Sequence, residues 1–180
     1  GVLNTIKTSY SDYHVCILEH WIGFQTDAVD NAFSQEGFNS FYTLPAYPNI
    51  IPDIVNAWQT GGTLSSQSYA PQQESSYLPT LSVSCDFSDY NGTFIGYFCG
   101  HGHRDYIAVC HTYQTQNVIA LATSSLWANF SDIPRRVGAT SEDLITTVSF
   151  DTSNKRILLN RIGANTTNLA TVKQLAVVDY

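Results

Sequence analysis

Methionine is absent from this 180-residue chain, and charge is scarce, with Lys, Arg, Asp and Glu together making up 13% of it. Eight basic side chains stand against fifteen acidic ones, for a formal charge of −7. A nucleic-acid binder gains affinity by setting Lys and Arg on phosphates, so nucleic acids and anionic membranes are poor candidates as main partners. A negative field suits divalent cations better. No stretch approaches the roughly 18 continuous apolar residues of a membrane span, which leads to the expectation of a soluble chain. The four cysteines, Cys16, Cys85, Cys99 and Cys110, form no CxxC pair, so zinc-finger spacing is excluded. With no Met at position 1, and Gly1 opening directly into a polar segment, the chain is expected to begin inside a longer protein.

What is present suits a β-rich globular domain. Apolar residues make up 43% of the chain, and the polar load falls on Ser, Thr, Asn, Gln and eleven Tyr. That balance argues against disorder, and the length is enough for one domain with a real core, spanning residues 1–180. Residues 13–19 (YHVCILE) read as a buried strand ending at His20-Trp21. A weak helical pattern covers 27–33, and a better one covers 53–59, where Ile54, Val55 and Trp58 share a face and Gly61-Gly62 supplies a stop. Residues 61–79 are polar, hold two prolines and show no hydrophobic period, so a surface loop is expected there. Strands are expected over 81–87, 93–99, 106–110 and 117–122, and a hairpin over 144–150 and 156–161 around the turn residues DTSNK. Cys16, Cys99 and Cys110 lie in apolar runs and are expected to be reduced, buried thiols. Sequon triplets at Asn91, Asn129 and Asn165 are common by chance in so Asn-, Ser- and Thr-rich a chain.

The sharpest feature is Gly100-His101-Gly102-His103-Arg104-Asp105, which joins two apolar strands. Glycine permits a sharp turn and close approach to a ligand, and imidazoles two residues apart on a loop can face adjacent ions. A ligand imidazole needs a partner for its second nitrogen, and Asp105 is a candidate for that role. His20 closes a separate apolar strand, so two strand ends are expected to bring three imidazoles to one sheet edge. His14 and His111 lie in or beside strands and read as structural or exposed. Asp86 and Asp89 read as turn residues, since EF-hand spacing is absent. The chain has no GxSxG elbow and no GK(S/T) phosphate loop, and a Cys–His protease would need a cysteine outside the apolar strands.

The order of these features resembles the C-terminal half of calcineurin-like metallophosphoesterases, over nearly the whole chain. The matching elements are an apolar strand ending in His20, the GHGH loop and a terminal strand pair. In the bacterial and phage subgroup that ending has a turn running from an Asp to a Lys and an Arg-(Ile/Phe)-Gly-Ala segment, similar to Asp151 to Lys155 and Arg161-Ile162-Gly163-Ala164 here. The resemblance implies half of a four-layer α-β-β-α sandwich. It also implies a pair of divalent transition metals (Mn, Zn, Fe, Ni or Co) that drives phosphoester hydrolysis through a bridging water. His20 and His101 would ligate one metal and His103 the other, with Arg104 and Asp105 in the second shell or substrate pocket. The family's DxH, GD and GNH(D/E) motifs are absent, and with them the bridging Asp, the Asn ligand and the general-acid His. The resemblance therefore implies no catalytic residue in this chain, and an N-terminal half or complementary chain as partner. Two other readings stand beside it. One is a non-catalytic structural or binding domain of a phage or surface assembly, and the other is a single-metal structural site. Cytoplasmic and virion-associated locations both fit.

Overall fold

A computed structural model describes residues 1–20, 23–29, 46–72, 77–100, 106–121, 144–163 and 175–180. The chain opens with helix α1 (Val2–Ser9), strands β1 (His14–Leu18) and β2 (Thr26–Ala28), and helix α2 (Ile50–Thr60). Strands β3 (Thr63–Tyr69), β4 (Leu81–Asp86), β5 (Thr93–Cys99), β6 (Tyr106–Cys110) and β7 (Asn117–Ala120) follow. Strands β8 (Leu144–Asp151), β9 (Arg156–Gly163) and β10 (Leu175–Asp179) complete it. The result is the expected β-rich α/β fold.

A five-stranded sheet in the order β1-β5-β7-β6-β2 forms the centre. β1, β5 and β7 run parallel, while β6 is antiparallel to both of its neighbours. Its two faces feed two cores. On one, Phe94, Tyr97, Cys99, Val118, Ala120, Tyr106 and Ala108 meet Val55 and Trp58 of α2, with Leu3 and Ile6 of α1 alongside. On the other, Ile95, Phe98, Ile107 and Ile119 meet Ile157, Leu159, Ala176 and Val178 of a three-stranded antiparallel sheet, β10-β9-β8. Phe98 and Phe150 add an edge-to-face ring pair at 5.8 Å. The layers are thus helices, large sheet, small sheet.

Burial on both faces explains why residues 93–99 read as a continuous apolar run rather than an alternating one. Val15 pairs with Phe94 but Cys16 pairs with Gly96, so Ile95 is an extra residue in β5. The bulge lets Phe94 and Tyr97 share the helix-side core while Ile95 and Phe98 serve the other. Gly96 sits there at φ 150°, where a Cβ would come within 2.9 Å of the Asn117 carbonyl. α2 stops as expected, with Gly61 left-handed at φ 67°.

Three expectations need correction. Residues 26–28 form a strand and not the start of a helix, because Thr26 to Ala28 pair with Cys110 to Ala108 and that ladder overrides a weak helical period; Val29 continues by donating to the Ile107 carbonyl, and 30–33 lie outside the described residues. The expected loop over 61–79 contains β3, paired with β4 as an exposed two-stranded ribbon. It shows no apolar alternation because both its faces meet water along most of its length, and Tyr69 alone of β3 is buried. Third, among the described residues β1 stands at the edge of the large sheet and is only partly buried, with Leu18 77% exposed. The hairpin β8–β9 turns at the expected residues, with the Asp151 carboxylate accepting from the Asn154 amide and Lys155 left-handed.

The tightest joint is between Trp58, fully buried, and Gly92, whose amide donates to the Trp58 carbonyl at 3.0 Å. A Cβ at Gly92 would lie 2.3 Å from the indole. Gly92→Ala should lower stability by about 1–3 kcal/mol through overpacking, read as a lower denaturant midpoint at unchanged slope.

Candidate metal centre at the carboxyl edge of the large sheet

Because β1, β5 and β7 are parallel, their carboxyl ends open at one edge, and antiparallel β6 begins there. Ligands of α/β sheets bind outside such ends. Three backbone hydrogen bonds lock this edge. The Glu19 amide donates to the Phe98 carbonyl at 2.8 Å, Gly100 to His20 at 3.3 Å, and Leu121 to Cys99 at 3.0 Å. His20, exposed, is thereby tied to the residue from which the GHGHRD segment departs. The strands before and after that segment, β5 and β6, flank β7. His101, His103, Arg104 and Asp105 themselves lie outside the described residues, as does Trp21. The structure thus sets His20 beside the end of β5, while β7 lies between that end and the start of β6. Among the described residues, no three His, Cys, Asp or Glu side chains form a metal-sized group.

His14 and His111 belong to the opposite edge, where β1 begins and β6 ends. His14 Nδ1 is 2.8 Å from the Tyr180 hydroxyl. His111 Nδ1 lies 3.0 Å from both Asp27 oxygens, and Gln114 donates to the same carboxylate, which holds Asp27 below the ordinary carboxylate range. Between the α2 start and the 111–116 turn, Tyr69 and Tyr113 both donate to Asp53, at 2.7 and 2.6 Å. Burial, with this carboxylate second, pushes the Tyr113 phenol up to about 12. Tyr97 donates to Gln116, which donates to the Pro52 carbonyl. These groups are paired and read as structural. Left-handed Asp89 is a turn residue, as expected, whereas Asp86 closes β4 opposite Thr63 and accepts from Ser88 and Thr63. The cysteines are unpaired; Cys99 and Cys110 are buried.

Glu19 is the residue that sequence reasoning missed. It follows directly on β1, and one of its carboxylate oxygens, Oε1, is buried with no hydrogen-bond partner among the described residues. Burial raises its pKa above the ordinary range. Burial first and Glu19 second push the Cys99 thiol up to about 12, and Glu19 also contributes to the raised phenol of Tyr97. The available signal was a carboxylate closing an otherwise apolar run directly before a candidate ligand.

Compared with protein-family models, curated proteins and solved structures, the chain matches none. Among the described residues no helix is long and apolar enough to cross a membrane.

A carboxyl raised in the fold favours its protonated form there. Its contribution is complete below the ordinary glutamate value of about 4.3 and is lost as pH rises through the folded value. The stability of Glu19→Gln relative to the parent should therefore rise from about pH 4 to about pH 7. A difference in denaturant midpoint that stays constant over that window would mean Glu19 is fully solvated.

Proposed function

We propose that this chain is the histidine-bearing half of a metal-dependent phosphohydrolase, the other half being supplied by a segment or chain beyond these residues. The observation that carries the reading is the hydrogen bond from Gly100 to His20. It sets the end of β1 beside the departure point of the GHGHRD segment, at the edge where a sheet of this kind receives ligands.

Two features of burial support incompleteness. β1 has the apolar sequence of an interior strand, yet among the described residues nothing is hydrogen-bonded along its outer edge. The small sheet turns Ile145, Ile162, Leu175 and Val177 outward, each more than half exposed. A strand added beside β1 and a helical layer over the small sheet would cover both, and would complete a four-layer α-β-β-α sandwich.

The donor chemistry fits a transition metal. Imidazoles are common ligands of Mn, Zn, Fe, Ni and Co, and Glu19 holds an orphaned carboxylate oxygen at the same edge. In this reading His20 and His101 hold one metal and His103 the other, while Arg104 and Asp105 serve the second shell or the phosphoester pocket. When bound, a metal pair lowers the pKa of a bridging water and polarises the phosphoryl group. This chain contributes neutral imidazoles and orients them; the charge-neutralising carboxylates must come from the other half. Alone it should hold about one transition metal and catalyse poorly.

The test is elemental analysis of chain purified without chelator or affinity nickel. About one transition-metal ion per chain alone, and about two with phosphoesterase activity once a complementary polypeptide is bound, is the expected result. A well-folded chain that carries no metal would leave a structural or binding domain as the reading.

A further inference from the structure

We propose that Asn91 is a latent deamidation site, held closed by the joint between α2 and the start of β5. It lies at the amino end of β5, away from the carboxyl edge of the large sheet, and involves no metal. Asn91-Gly92 is the one Asn-Gly pair in the sequence. Glycine has no side chain to shield its backbone nitrogen or restrict its approach, so an Asn before Gly cyclises more readily than one before a bulkier residue. Asn91 is exposed, so water has access to it.

The fold keeps the two reacting groups apart. The Gly92 amide donates to the Trp58 carbonyl at 3.0 Å, and so satisfies one of the carbonyls that the last turn of α2 leaves over. The Asn91 side-chain oxygen lies instead against the C-cap of that helix, 2.9 Å from the place a Cβ on Gly61 would take. Gly92 cannot turn toward Asn91 without leaving the indole of Trp58, which is fully buried and would stand 2.3 Å from a Cβ on Gly92. Tyr90 packs against the same indole, with ring centres 5.8 Å apart.

The reaction therefore waits for local opening. Once released, the Gly92 nitrogen attacks Asn91 Cγ. The N–Cγ bond forms, the Cγ–Nδ2 bond breaks, and Nδ2 leaves as ammonia with the proton that Gly92 gives up. Water then opens the cyclic imide at either carbonyl, giving aspartate or isoaspartate without any oxidant or reductant. Isoaspartate routes the backbone through Cβ, which lengthens the link into Gly92 and spoils its fit against Trp58. Each opening that reacts thus leaves a chain that cannot close the joint again.

The experiment incubates the parent chain in mildly alkaline buffer, folded and in denaturant, and follows isoaspartate at position 91 by peptide mapping. Folded Trp58→Phe, which loosens the joint, and Ile157→Val, which loosens the far core, run alongside. The expected result is isoaspartate formation at least about tenfold slower in the folded parent than in denaturant. Trp58→Phe should react faster than the folded parent, and Ile157→Val at nearly the parent's rate. Equal rates for the folded and denatured parent would overturn the gate. Equal acceleration in the two variants would show that global unfolding exposes the site, and would overturn the role of the joint. No isoaspartate at position 91 in denaturant would overturn the site itself. Hydrogen exchange of the Gly92 amide in the parent reads the same opening should Trp58→Phe not fold. Protection that falls together with the deamidation barrier in low denaturant supports the gate, and an unprotected Gly92 amide would overturn it.

Discussion

The fold depends on the burial of β5 and β7 from both sides. Val118, Ile119 and Ala120 are fully buried, with Trp58 and α2 beyond one face of the sheet and Ile157 and Leu159 beyond the other. A strand in that position cannot slip by one residue without exchanging its entire side-chain set between two differently shaped cores. The extra residue at Ile95, permitted by Gly96, lets β5 supply large side chains to both. Once these strands are fixed, so are their carboxyl ends, and three backbone hydrogen bonds pass that rigidity to Glu19, His20, Gly100 and Leu121. Of the proposed ligands, His20 is the one carried by this frame, and a rigid support is the condition for holding a ligand to the tolerances that metal coordination demands.

The two edges of the large sheet differ in how their polar groups are satisfied. Where β6 ends and β7 begins, Asp27, Asp53, Gln116 and His111 are linked to neighbours within 3.0 Å. Such networks specify a conformation, and their groups have little left to offer a ligand. At the carboxyl edge, Glu19 is half-buried with an orphan oxygen, against the ordinary logic of stability. Sites that bind or react are where proteins tolerate this.

Much of the fold was legible because its strands are bounded by turn chemistry. The runs at 93–99, 106–110 and 117–120, the Gly61 stop and the DTSNK hairpin all follow from local residues. Three elements did not, and in each case a non-local term decided. Residues 26–28 are a strand only because β6 offers a ladder, and β3 has no apolar face to betray it. β1 carries the composition of a central strand and sits at an edge, a position that depends on what lies beside it and not on its own residues. Of the site, the meeting of His20 with the end of β5 was legible from two strands that each end at a glycine- or histidine-bearing turn. Glu19 was not, because a single acidic residue closing an apolar run looks like a strand terminator until its burial is known.

The position of β1 bears on what kind of partner the proposed centre needs. On the metal reading, the imidazoles of this chain lie at one end of a parallel array in which, among the described residues, no strand pairs beyond β1. A parallel strand added there would deliver its own carboxyl end at the same edge, one strand spacing of about 4.8 Å from that of β1. Acidic ligands at that end would meet the histidines without any change in the frame described above. A partner docking only on the exposed apolar side chains of the small sheet would bury Leu175 and Val177 but bring nothing to the edge. The missing charge and the unpaired strand therefore call for the same partner. It would extend the large sheet at β1 and neutralise the site, with any cover over the small sheet secondary to both.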